Sequence, residues 1–372
     1  MFDGRISRLA VLLLAVGACA SCVQQTEAPE GAGQLRLGGV LGPAPEEFAR
    51  AQNPREFQFP ADHGPHPRFR SEWWYLTAAL RDEQGAEFGI QFTVFRQALG
   101  VEDSVNPWRS PQVYMAHAAL TSVAAQRHWE DQRLARGHPG LAGAAGEPFA
   151  VWVDGWTLTG RHGAFASQVL NVAASDFAVE LALEVVKGPV LQGDAGLSAK
   201  GPGQASYYYS VPRLRAHGTV TVGGQTYDVA GSAWMDREWS TSVLSADQTG
   251  WDWFAVHFDD ATELMAFRLR RKDGTRDRYD HGLAVAATGA TRLLGSDDFV
   301  LRPLKYWTDA RGVRWPVEWT LEVGAERWRV AAAVADQRMD TAVVYWEGLV
   351  WVFDAAGTRV GSGYMELTGY GA

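Results

Sequence analysis

The chain has 372 residues, is 47% hydrophobic and 21% charged, and carries a net charge of −9. Those values describe a globular protein long enough for two domains, and they exclude a disordered chain and a nucleic-acid binder. Tryptophan is abundant at 16 residues, which suits a β-rich core or a pocket for a flat or elongated apolar molecule.

The chain opens with a targeting pattern. Arg5 and Arg8 precede an apolar run over residues 9–16 that is too short to span a bilayer. The stretch "VGAC" ending at Cys19 has the form of a bacterial lipobox, with Cys22 as the alternative acceptor. Residues 1–22 are therefore expected to be a lipoprotein signal lipidated at Cys19, and residues 23–54, rich in Gly, Ala, Pro, Glu and Gln, a flexible tether. The expectation is an exported, outer-membrane lipoprotein facing the periplasm, tied to the membrane through its N-terminal lipid. Both cysteines lie in this segment, so the body has neither disulfide nor thiolate chemistry.

From Phe57 onward the periodicity is that of strands. "RSEWWYLTAAL" (residues 70–80) puts Trp73 and Tyr75 on one face and Glu72 and Trp74 on the other. Aromatics on both faces imply that both are buried, so Glu72 is either kept neutral by burial or neutralised by a cationic partner such as Arg96 or Arg237. "EFGIQFTVFRQ" alternates Phe88, Ile90, Phe92 and Val94 against Gly89, Gln91 and Thr93. Residues 123–137 give the best helical pattern. "DFAVELALEVVKG" alternates again, and Gly223-Gly224 marks a hairpin turn. The stretch starting at Trp251 echoes the one starting at Glu72, with Trp74-Tyr75 aligned on Trp253-Phe254. Such a repeat implies two similar β domains, here residues 55–214 and 215–372 with the boundary in 211–218.

Three stretches could carry chemistry. In "DHGPHPRF", His63 and His66 lack a third ligand at metal-binding spacing, so no metal is expected and the loop reads as solvated. In "GSAWMDREWSTS", Trp234, Asp236 and Glu238 share a face opposite Arg237. Either Arg237 forms a surface ion pair with these acids, or an acid sits in an aromatic pocket where desolvation raises its pKa. In "ASYYYSVPRL", Tyr207 and Tyr209 share a face and Tyr208 opposes them. Hydrolase elbows, zincin helices, phosphate loops and dinucleotide fingerprints are absent, and no cofactor is expected.

Together with "AHAALTSV", "GWDWFAVHFDDATELMAFRLRRKDG" and "GSGYMELTGY", these motifs resemble the lipocalin-like AttH and carotenoid 1,2-hydratase (hydroxyneurosporene synthase) superfamily over residues 57–370. The secreted AttH branch, often labelled a predicted secreted hydrolase, is the more similar. The resemblance implies an all-β fold of two lipocalin-like antiparallel β-barrel domains. By motif position it also implies a proton-donating aspartate at Asp236, with Trp234, Tyr207 and Tyr209 beside it. The expected ligand-binding residues are Glu72, Trp73, Trp74, Tyr75, Gln91, Arg96, His117, Trp251 and Trp253. The leading expectation is a binder of an apolar small molecule or lipid, isoprenoids included, with a neighbouring transport system as a further partner. The alternatives are a hydro-lyase that adds water to a C=C bond and, lastly, a hydrolase.

Overall fold

The computed structural model describes residues 46–101, 106–241 and 244–371. The expected signal, Cys19, Cys22 and the tether up to residue 45 lie outside these. The last part of the expected tether is packed: Phe48 and Ala51 are buried, and the Ala49 amide donates to the Arg68 carbonyl.

No α-helix occurs among the described residues. The first sheet contains β1 (Ser71–Asp82), β2 (Glu87–Ala98), β3 (Gln112–Ser122), β4 (Arg127–Arg136), β5 (Ala142–Gly146), β6 (Phe149–Val153) and β7 (Trp156–Arg161). It continues with β8 (Ala164–Ala173), β9 (Phe177–Lys187), β10 (Val190–Leu191), β11 (Leu197–Gly201), β12 (Gln204–Val222) and β13 (Gln225–Ser240). The second contains β14 (Gln248–Phe258), β15 (Glu263–Arg271), β16 (His281–Val285), β17 (Thr291–Leu294) and β18 (Phe299–Thr308). It ends with β19 (Arg314–Val323), β20 (Glu326–Ala332), β21 (Arg338–Asp340), β22 (Val344–Phe353) and β23 (Arg359–Leu367).

The two sheets share one plan. The first runs β4-β3-β2-β1-β13-β12-β9-β8-β7-β6-β5 and the second β17-β16-β15-β14-β23-β22-β20-β19-β18. In each, the opening hairpin has its second strand on one side and the sheet's last strand on the other. The hairpins starting at Glu72 and Trp251 therefore hold matching places. Each sheet curls around its own core: Trp74, Leu76, Phe92, Leu158 and Leu181 in the first, Phe254, Trp315, Trp319, Trp346 and Met365 in the second. The architecture is the expected pair of lipocalin-like antiparallel β units, and both interiors are filled with side chains.

Residues 123–137, read as a helix, form a turn and then β4. Leu134 and Trp129 are not spaced to build a helical stripe, whereas all ten β4 residues pair with β3. The expected boundary in 211–218 falls inside β12, which pairs with β13 from Ser206 to Val222 apart from a bulge between Val211 and Leu214. The first sheet's last strand ends at Ser240, and the second sheet's first strand starts at Gln248. A hairpin closed by Gly223-Gly224, both at positive φ, commits the two strands to one sheet.

The faces also correct the alignment of the echo. Trp73 and Tyr75 point away from the first core, as do Trp251 and Trp253 from the second, while Trp74 and Phe254 point inward. Glu72-Trp73-Trp74 therefore matches Asp252-Trp253-Phe254, one residue out of step with the sequence alignment. The acids agree. Glu72 faces Arg96 across β1–β2, and Asp252 faces Arg268 across β14–β15.

Candidate functional site

The outward faces of the two sheets lie against each other and enclose a cavity of about 540 Å³. Its walls carry Trp73, Tyr75 and Phe95 from the first sheet and Trp251, Trp253 and Phe267 from the second. Tyr75 meets Trp253 edge-on, with ring centroids 5.2 Å apart. Leu99 and Leu134 are 65% and 71% exposed and also line the cavity, so its mouth is apolar. The cavity lies between the sheets, not within a barrel lumen.

Its inner end is rich in carboxyl groups. Asp236 accepts from the Tyr208 hydroxyl at 2.7 Å, the Trp234 indole N–H at 2.7 Å and the Ser210 hydroxyl. Burial pushes its pKa up to about 7, against the lowering effect of those three donors. Glu238, beside it, pairs with Lys200 at 2.5 Å. On the opposite wall Glu347 and Glu366 stand directly across β22–β23. Burial holds both above the usual carboxylate range; the Glu366 charge adds to this at Glu347, and the charges of Asp236 and Glu238 add to it at Glu366, whose pKa is pushed up to about 8 against the Trp251 indole and Lys200. His117 accepts from or donates to the Tyr345 hydroxyl at 2.8 Å, and burial lowers its pKa to about 3, so it is neutral. Among the described residues no group of three His, Cys, Asp or Glu side chains is placed to hold a metal.

Glu72 lies on the core side of β1. Its carboxylate is held by Arg96 and, at 3.0 Å, by Arg237, and it accepts the His66 amide at 2.9 Å. Arg237 lies over Trp74 at 3.9 Å. Arg237 thus pairs inward with Glu72 and not with Asp236 or Glu238. The histidines of the "DHGPHPRF" loop are packed and not solvated: His63 bonds Tyr209 at 2.6 Å, and His66 stacks on Trp239 at 3.8 Å.

The sequence-picked residues thus divide. Asp236, Trp73, Tyr75, His117, Trp251 and Trp253 line the cavity, as do parts of Glu72 and Arg96. Trp234 stands behind Asp236, Trp74 is in the first core, and Gln91, itself outside the lining, bonds the lining residue Thr93 at 2.6 Å. Tyr207 and Tyr209 lie on the far face of β12, and Tyr208 takes the place beside Asp236.

A bulge causes the exchange. From the turn to Leu214–Ala233 the β12–β13 pairing is regular, and between Val211 and Leu214 it shifts by one residue. Without that shift Asp236 would share a face with Tyr207 and Tyr209; with it, Asp236 faces Ser210 and joins Tyr208. Pro212, which has no N–H for the ladder, sits in the bulge and is its signal in the sequence. Glu347 and Glu366 were missed because each is a lone acid in an apolar strand, and only pairing β22 with β23 brings them together.

Two lipocalin-like sheets with a carboxyl-bearing aromatic cavity between them define the class of protein. The AttH-like family model matches residues 50–370, and the chain belongs to that family. A crystal structure of an AttH protein from Nitrosomonas europaea is 34% identical, with a TM-score of 0.78 over 87% of this chain and 100% of that one. The crystal structure of kievitone hydratase from Nectria haematococca shares the fold at 15% identity, with a TM-score of 0.64 over 88% of this chain and 98% of that one. Among curated proteins, none matches.

Proposed function

We propose that the protein binds an apolar, alkene-bearing molecule of isoprenoid type in the inter-sheet cavity and adds water to its double bond. The observation that carries this reading is Asp236, a buried carboxyl poised to exchange a proton near neutral pH against an aromatic cavity. A passive carrier gains nothing from burying carboxyl groups beside its ligand, since each costs desolvation. Hydration uses them. A carboxylic acid protonates the alkene carbon, and the aromatic faces of Trp73 and Trp253 stabilise the carbocation by up to about 2 kcal/mol each. Water then forms the C–O bond and gives its extra proton to a carboxylate. The similarity in fold to kievitone hydratase supports this reaction class. The hydrolase alternative finds no serine or threonine hydrogen-bonded to a histidine among the cavity residues described: Ser71 bonds Gln97, and His117 bonds Tyr345. The exposed Leu99 and Leu134 at the mouth favour delivery of the ligand from a lipid surface, in keeping with the lipid anchor proposed at Cys19.

The test is incubation with kievitone and acyclic isoprenoids in ¹⁸O-labelled water, following product mass. Wild type is expected to incorporate one labelled water, and Asp236→Asn to bind the same compounds, by tryptophan quenching, with turnover lost. Binding without turnover by wild type would leave the carrier reading in its place.

A further inference from the structure

Hydration needs two proton transfers, one to carbon and one from water, and the cavity has carboxyl groups on both walls. Their surroundings differ. Asp236 has both oxygens engaged by donors: Oδ1 by Trp234 and Ser210, and Oδ2 by Tyr208. That cradle suits a carboxylate, and a proton on either oxygen would have to compete with a donor already there. Glu347 is 1% exposed and lines the cavity; neither oxygen makes a hydrogen bond of good geometry, and the nearby Tyr75 and Tyr345 hydroxyls offset its burial only in part. A carboxylate so placed, facing a second carboxyl, is the costliest form available, so the pair keeps its protons. Glu366 also lines the cavity, beside Trp253 in the β14–β23 register, and is only partly buried. The Asp236 charge acts on Glu366 across the gap.

Resting on the hydration reading, we propose that Glu366 is the proton donor to the alkene, that Glu347 is its positioning residue, and that Asp236 is the base that accepts the proton of the adding water. This exchanges the role first read for Asp236. In the forward step the Glu366 O–H bond breaks and a C–H bond forms at the less substituted alkene carbon. The water oxygen bonds the cationic carbon while its proton passes to Asp236. Return of that proton to Glu366 through solvent restores the site, and the net change is addition of one water.

The experiment compares wild type, Glu366→Gln, Glu366→Asp and Asp236→Asn in the full chain, over a pH series, on whichever of the compounds above wild type hydrates. Infrared spectra of the carboxyl C=O stretch are recorded without ligand. Glu366→Gln is expected to lose on the order of 10²–10⁴-fold in kcat with binding retained. Its residual rate should lack the alkaline fall of wild type, while that of Asp236→Asn should lack the acid fall. Glu366→Asp should recover part of the rate. The protonated-carboxyl absorption that persists above neutral pH should lose the Glu366 component in Glu366→Gln, leaving that of Glu347, and should stay whole in Asp236→Asn. Turnover within tenfold of wild type in Glu366→Gln, or an absorption that is undiminished with Glu366 removed and diminished with Asp236 removed, overturns the assignment while leaving hydration standing. Wild type inactive on every compound removes the hydration reading and the assignment with it.

Discussion

Glu72 and Asp236 lie near each other along the first sheet and show how environment divides two carboxyls. Glu72 has two guanidinium partners at 0% exposure, and these overcome its desolvation and hold its pKa far below the usual range. Asp236 has neutral donors only, and burial wins. The linkage to stability therefore has opposite signs. Glu72 has a lowered folded pKa, so its stabilisation is present above its unfolded value of about 4.5 and fades as pH falls below that. Asp236 has a raised folded pKa, so stability is lost as pH rises from its unfolded value of 3.8 towards about 7. Glu72→Gln would strand two buried guanidinium groups. It is expected to cost about 3–5 kcal/mol near neutral pH, and less on acidification. Urea unfolding at several pH values checks this, and a loss that does not shrink at low pH would show that Arg96 and Arg237 find other partners.

At the scale of strands, legibility followed period and failed at register. Alternation alone places Trp73 with Tyr75 and Glu72 with Trp74, and the inward pairing of Glu72 with Arg96 and Arg237 follows from a buried acid needing a cation. Which tyrosine meets Asp236 depends on a one-residue bulge at Pro212, and period-2 reasoning has no access to it. The approach of the two sheets was equally hidden. It is set by Gly89 on β2, where a Cβ would lie 2.5 Å from the Tyr364 hydroxyl and 2.8 Å from Leu349 Cβ on the second sheet. The Leu349 Cβ is fixed to its strand and cannot give way, so Gly89→Ala must push the sheets apart. We expect a loss of about 1–3 kcal/mol in denaturant unfolding, together with weaker ligand binding because the cavity walls move. Unchanged stability would mean that the two faces slide freely over each other.

At the scale of the whole molecule, the repeated strand order describes two units of one plan, yet the described residues form one compact body. The reason lies in what crosses between the sheets. Glu263, at the start of β15, is fully buried and takes Lys187 of β9 at 2.7 Å on one oxygen and Arg213, in the β12 bulge, on the other. Lys187 also donates to the carbonyls of Ala261 and Ala286 in the second sheet. Farther along, the Trp351 indole and Arg359 both bind Glu87 of β2. The bulge that brings Tyr208 to Asp236 thus also presents Arg213 to the second sheet, so site and clamp share one irregularity. If the sheets depend on each other, weakening the clamp must lower the stability of both. Glu263→Gln leaves two cations facing a neutral amide, and removing one partner of a buried ion pair typically costs about 3–5 kcal/mol. Calorimetry should show a single transition in wild type and a single, lower one in Glu263→Gln, with cavity binding lost over that same transition. A scan that splits in two, with only one component displaced, would mean that each sheet is stable alone and that the cavity between them is a contact of independent domains.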